Sequence, residues 1–130
     1  MRKTKVIMLI LTCISMLSMY SKPRVTVEGN FLHQKHVSYT LYELEDNGTY
    51  KELISSHGRK AYSVQCNTKT TYLIKFVDKT QTVKYLEFRI DRVKDIVVDV
   101  DFSTNQSIKL LYDKKGLKIT DMSNDCLAWK

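Results

Sequence analysis

The strongest constraint on this chain is a period of two. Val25, Val27 and Phe31 fall on one face around Thr26 and Glu28, and Val37, Tyr39 and Leu41 alternate with Ser38 and Thr40. Tyr62, Val64 and Cys66 alternate with Ser63 and Gln65; Tyr72, Ile74 and Phe76 with Leu73, Lys75 and Val77; Leu86, Phe88 and Ile90 with Glu87 and Arg89. The clearest run is Ile96 to Phe102, apolar at every even position, with Asp99 and Asp101 expected to project outward. Shorter runs follow at Ile108 and Leu110 around Lys109, and at Leu117 and Ile119 around Lys118. A strand sends successive side chains to opposite faces, so this pattern places one apolar face per strand against a core. A helix would need its apolar residues three and four apart.

Turn chemistry separates the runs. Asp46-Asn47-Gly48 and Asp113-Lys114-Lys115-Gly116 contain the residues that tolerate positive φ. His57-Gly58-Arg59-Lys60, Asp78-Lys79-Thr80-Gln81 and Ser103-Thr104-Asn105-Gln106 are expected to be polar loops. Strands about ten residues apart imply an all-β chain: a single antiparallel β-sandwich of about seven strands. The expected division is residues 1–22 as a leader, 23–112 as the sandwich, and 113–130 as a C-terminal strand or tail.

The leader is expected from charge and length. Arg2, Lys3 and Lys5 precede Val6 to Tyr20, fifteen residues without a charge. A basic segment before a short apolar one is the pattern of a secretory signal peptide. As a helix it would span about 22 Å, short of the ~30 Å hydrocarbon core. An uncleaved membrane anchor through residues 6–20 is the second reading. Cys13, in Ile10-Leu11-Thr12-Cys13, is a candidate lipidation site. Setting Arg2, Lys3 and Lys5 aside from the 21 basic residues leaves 18 against 14 acidic ones, a net of +4. That charge is dispersed among acids, which disfavours nucleic-acid binding.

Several segments carry a family resemblance. Val25-Thr26-Val27-Glu28-Gly29 stands as a first strand, followed by Val37 to Glu43, the Asp46-Asn47-Gly48-Thr49-Tyr50 turn, Thr71 to Phe76, and Asp99-Val100-Asp101-Phe102. This arrangement resembles the transthyretin-like (prealbumin-like) sandwiches, notably the carboxypeptidase-regulatory-like modules of exported bacterial proteins. It departs from them at His33-Gln34-Lys35-His36, where the family has Pro-Leu-x-Gly-Ala, and it lacks their Gly-Tyr after the Thr71 to Phe76 strand. The resemblance implies a fold and the structural, adhesion or stalk roles common to such modules. It carries over no active site.

The residues themselves offer few chemical groups. His33 and His36 are expected in an exposed loop rather than as metal ligands. Cys66 alternates in phase with Tyr62 and Val64 and is expected to face the core. With the leader removed, Cys66 and Cys126 remain; a bridge between them would stabilise the fold by about 3–4.5 kcal/mol, the alternative being two unpaired thiols. Asp91, Asp95, Asp99 and Asp101 lack an Asp-x-Asp-x-Asp-Gly calcium loop and are expected on a solvated strand face. Tyr42 and Leu44 are out of phase with Tyr39 and Leu41, so the second strand is apolar on both faces and a candidate interface.

The expected function follows: an exported, secreted or periplasmic, non-enzymatic binding or structural module at the cell envelope or surface. It would contact a protein or glycan partner and use no cofactor or metal. The alternative is a membrane-tethered accessory subunit of a larger envelope complex, followed by a small hydrolase or metal-binding protein. The sequence leaves the oligomeric state open.

Overall fold

The computed structural model describes residues 23–123. The expected leader, Cys13 and Cys126 lie outside the described residues. Ten strands are formed rather than about seven: β1 (Arg24–Leu32), β2 (Val37–Leu44), β3 (Tyr50–Arg59), β4 (Ala61–Asn67), β5 (Thr71–Val77), β6 (Val83–Ile90), β7 (Ile96–Val97), β8 (Val100–Asp101), β9 (Gln106–Asp113) and β10 (Gly116–Ser123). They make two sheets. The larger has six strands in the order β10-β9-β6-β5-β2-β3; the smaller is built on β1, with β4 on one side and β7 and β8 on the other.

The chain passes between the sheets at β1–β2, β3–β4, β4–β5, β6–β7 and β8–β9, whereas β2–β3, β5–β6 and β9–β10 are hairpins within the larger sheet. Most pairings are antiparallel, but β6 and β9 run parallel, as do β1 and β7 and β1 and β8. Parallel neighbours need a crossover. Residues 91–105 supply it, leaving the large sheet after β6, running along β1, and returning as β9.

The core is the expected one except at β10, where Leu117 and Ile119 are exposed, at the edge of the larger sheet. Val25, Val27, Phe31, Val37, Tyr39, Leu41, Tyr62, Val64, Cys66, Tyr72, Ile74, Phe76, Leu86, Phe88, Ile90 and Leu110 are all buried between the sheets. Phe31, Tyr39, Tyr62 and Phe76 form an aromatic cluster within it, with Tyr62 edge-on to Phe76 at 5.0 Å and Phe31 edge-on to the same ring at 5.5 Å. Such tilted geometries suit the ring quadrupoles and fill volume at interior density.

The Ile96 to Phe102 segment departs from expectation. It is not one strand but two short ones, parallel to β1 in a single register and interrupted at Val98 and Asp99. Gly29 makes room for the interruption: a Cβ there would lie 1.9 Å from the Val98 carbonyl oxygen. The Val98 amide donates to the Glu28 carbonyl (2.8 Å) and Tyr62 Oη donates to the Val98 carbonyl (2.5 Å). Asp95 and Asp99 are therefore not a merely solvated face. Asp95 Oδ1 accepts from the Thr26 amide (2.9 Å) and Asp99 Oδ1 from the Asn30 amide (2.8 Å). Where the backbone of the crossover swings away from β1, these carboxylates complete the ladder in place of carbonyls.

The turns behave as their composition requires. Gly48 and Gly116 have φ of 84° and 116°. In the first turn Asn47 Oδ1 accepts from the Thr49 amide at 3.0 Å. His57-Gly58-Arg59, expected as loop, instead belongs to β3, which runs to Arg59 and leaves only Lys60 as connection to β4. Gly58, at φ 62°, lies within the register shift between the Val37–Arg59 and Tyr39–Ser56 pairs.

Candidate functional site

The outer face of the six-stranded sheet points away from the smaller sheet, yet it is not simply polar. Strand register places its residues in rows. One row runs Glu52, Tyr42, Leu73, Glu87, Lys109 and Thr120 from β3 to β10. Thr40, Lys75 and Tyr85 form a neighbouring row, and Leu44 stands opposite Tyr50. Leu73 is completely buried at the centre of this face. Its cover comes from its own surroundings, with Tyr42 and Glu87 as cross-strand neighbours.

The two interface candidates, Tyr42 and Leu44, are both half-buried on this face. Their strand is interior to the sheet, between β5 and β3, which explains apolar residues in both phases. Sequence reading missed the residues around them. Tyr50 reaches across to Glu87, its Oη donating to Oε1 at 3.5 Å, while Lys109 Nζ lies 3.6 Å from Glu87 Oε2. Partial burial, with the Glu87 charge and hydrogen bond adding to it, pushes the Tyr50 phenol above its ordinary range. Tyr42, Tyr50 and Tyr85, with Leu44, thus present phenol rings around a buried aliphatic centre. Such amphipathic rings suit contact surfaces, since each offers apolar area and a hydroxyl at small entropic cost.

The reactive groups are otherwise employed. Cys66 faces the core as expected, its Sγ 3.5 Å from the Val25 carbonyl. Burial, slightly offset by Arg24, pushes its thiol up to about 12, so it packs as a small hydrophobe and is not a nucleophile. Tyr62 is raised further, first by burial and then by the Asp99 and Glu28 charges. Among the described residues, no group of three His, Cys, Asp or Glu side chains converges as metal ligands.

The histidines are spread over one end of the molecule. His33 and His36 are exposed in the β1–β2 loop, and His33 Nε2 lies 3.6 Å from Asp101 Oδ1. His57, on β3, has Nδ1 3.3 Å from Ser38 Oγ. Asp101 also accepts from the Ser103 hydroxyl and amide, which with the nearby cations holds its carboxyl below the usual range. Lys84 stands at the same end, buried and facing inward. Its ammonium donates to the Asp101 carbonyl and to Thr104 Oγ1 (2.9 Å), and lies 5.7 Å from the Phe102 ring centroid. Desolvation lowers its pKa, with Asp101 and Asp121 opposing. This ammonium closes the end of the core and ties the β8–β9 loop to β6.

No family model matches the chain, and no curated protein matches it. Among solved structures it is similar to sea bream transthyretin in complex with thyroxine, at 8% identity and a TM-score of 0.36, over 82% of this chain and 98% of that one. It is also similar to a structure described as "Trapped Toxin", at 14% identity and a TM-score of 0.30, over 78% of this chain and 23% of that one. The first is a transthyretin, the kind of sandwich that the strand pattern resembles. At these distances neither likeness speaks to ligand or activity.

Proposed function

We propose that the chain is an exported, non-enzymatic β-sandwich acting as a binding or structural module at the cell envelope or surface, where the outer face of its large sheet contacts a protein or a glycan. The observation that carries this reading is the arrangement around Leu73: a fully buried aliphatic centre on an outward face, with Tyr42, Tyr50, Tyr85 and Leu44 about it. Export is supported by the basic Arg2 to Lys5 segment before the uncharged run Val6 to Tyr20.

The test combines cell fractionation with binding. A tagged full-length chain is expected in the envelope or extracellular fraction. The Tyr42→Ala/Tyr85→Ala variant is expected to lose most of its binding to intact envelopes and arrayed glycans while keeping a cooperative unfolding transition. Cytoplasmic accumulation, or binding unchanged by the double substitution, would overturn the reading. A second reading, a membrane-tethered accessory subunit, is favoured by the same uncharged run if retained. In that case the chain stays in the membrane pellet after alkaline extraction.

A further inference from the structure

A strand at the edge of a sheet shows one row of unpaired N–H and C=O groups, and folded proteins blunt such rows with charges, prolines, bulges or brevity. The larger sheet ends on β3 and β10, the smaller on β4 and on β7 with β8. β3 pairs with β2 through two register shifts and carries Lys51, Glu52 and Arg59. β10 carries Lys118 and Asp121. β7 and β8 are two residues each, with the Asp95 and Asp99 carboxylates bonded beside them. β4 has none of these devices. It runs Ala61-Tyr62-Ser63-Val64-Gln65-Cys66-Asn67 without a charge or a proline, in unbroken register with β1.

The bonds made by β1 show which groups of β4 are left over. The Phe31 amide donates to the Lys60 carbonyl (3.2 Å), whereas the Thr26 and Asn30 amides face Asp95 and Asp99, and the Glu28 carbonyl accepts from Val98. Odd-numbered residues of β1 therefore bond toward β4, and even-numbered ones toward β7 and β8. Alternate pairs of an antiparallel ladder exchange both bonds, so Tyr62, Val64 and Cys66 are bonded to Gly29, Val27 and Val25. Ala61, Ser63 and Gln65 turn their N–H and C=O groups the other way, where among the described residues no strand follows. Asn67 closes one end of this row, its amide donating to Tyr72 Oη at 2.8 Å.

The space beside the row is also shaped. Tyr62 packs against Tyr39 of β2 at 6.3 Å and Phe76 of β5 at 5.0 Å, so β4 lies over β2 and β5. β3 extends one strand further out, with Ile54 on its inner face 45% exposed. At the Ala61 end a groove of about 440 Å³ opens, with Tyr39, Ser56, Arg59 and Tyr62 in its lining. A strand added to β4, about 4.8 Å beyond it, lies over β3 and sends alternate side chains down onto Ile54 and into this groove.

We infer that the free edge of β4 is a strand-addition site, and that its occupant is a single extended segment of a partner protein in which apolar and polar residues alternate. The β3 wing selects that occupant. A second copy paired through its own β4 would bring its larger sheet into the space that β3 already fills, whereas a lone strand fits above it. A glycan has no amide row to match that of Ser63 and Gln65. β10 ends at the opposite edge of the larger sheet, so the residues that follow Ser123 start from the far side. The site belongs to the smaller sheet, away from the tyrosine-bearing face, so the two assignments stand or fall separately.

Residue-level amide exchange of the full-length chain, with and without a peptide alternating valine and threonine, tests it. Without peptide the Ser63 and Gln65 amides are expected to exchange fast; with peptide they should slow, with a Kd of about 1 mM or tighter. The Gln65 N–H takes no part in the ladder to β1, so proline is tolerated there. Gln65→Pro should keep a cooperative unfolding transition and weaken the peptide at least about tenfold. Ile54→Asp should weaken it as well. Successive N–H groups of a strand point to opposite edges, so of two peptides, one N-methylated at its valines and one at its threonines, one should bind and the other fail. That pair decides even if Gln65→Pro does not fold. Slow exchange of Ser63 and Gln65 before peptide is added would mean that another part of the chain holds the edge. That result, a dimer lost on Gln65→Pro, protection at β3 or β10 instead, no protection at all, or equal binding of both methylated peptides would each overturn the assignment.

Discussion

Phe88, Leu110 and Ile119 stand in one row across three adjacent strands, on the same face of the same sheet. The first two are 1% exposed and the third 52%. The next row repeats the contrast at the opposite edge: Leu86, Ile74 and Leu41 are buried, and Ile54, opposite Leu41 on β3, is 45% exposed. Residue type, strand geometry and facing are alike within each row. Only coverage differs. The smaller sheet is narrower than the larger one, so β3 and β10 extend beyond it as wings. The energy of the fold is accordingly held in the covered centre, where apolar area is removed from water at about 25 cal/mol per Å². The wings are held chiefly by backbone bonds and cross-strand pairs, each of which contributes little on its own.

Substitutions placed along a row test this contrast most sharply. Ile74→Asp buries an unpaired carboxylate and is expected to abolish folding, whereas Ile54→Asp should change stability by about 0.5 kcal/mol or less; urea denaturation of both variants decides. Similar losses from the two would refute the contrast. Next in size, Phe88→Ala should cost about 3–5 kcal/mol and Ile119→Ala under about 1 kcal/mol, read as a shift in denaturation midpoint at constant slope.

Alkaline pH probes the centre without altering most of it. Cys66 is pushed up from an ordinary 9.0 to about 12, and Tyr62 is raised as well, so the fold holds both groups neutral. Above pH 9 the unfolded chain releases protons that the folded chain retains, so stability should fall as pH rises from about 9 toward 12. Cys66→Ala should shallow that slope; a variant with an unaltered slope would show that the thiol takes no part. The smallest effect belongs to the exposed loop: His36→Ala should leave the melting temperature within about 1 °C of the parent.

The sequence made the centre legible and the wings much less so. Alternation identified the buried faces of β1, β2, β4, β5 and β6 because those strands are covered on one side, and a period-two pattern is a record of one-sided burial. In Tyr50–Arg59 both faces are largely exposed, so selection for an apolar face is weak and the strand left only Leu53 and Ile54 as traces. The even positions of Ile96 to Phe102 faced inward as expected, but the break at Val98 depends on Gly29, nearly seventy residues earlier, and no local pattern reports such a contact. The proposed contact face was partly legible. The phase of Tyr42 and Leu44 marked it, while Tyr50 and Tyr85 joined them only through register.

Residue-level amide hydrogen exchange of the full-length chain is the most direct test of a covered centre flanked by uncovered wings. The account predicts that amides of β1, β5 and β6 exchange only through global unfolding, while those of Leu53 to Gly58 and Leu117 to Asp121 exchange by local opening, orders of magnitude faster. Protection of the wings equal to that of β5 would contradict it, and would mean that something beyond this pair of sheets holds β3 and β10 in place.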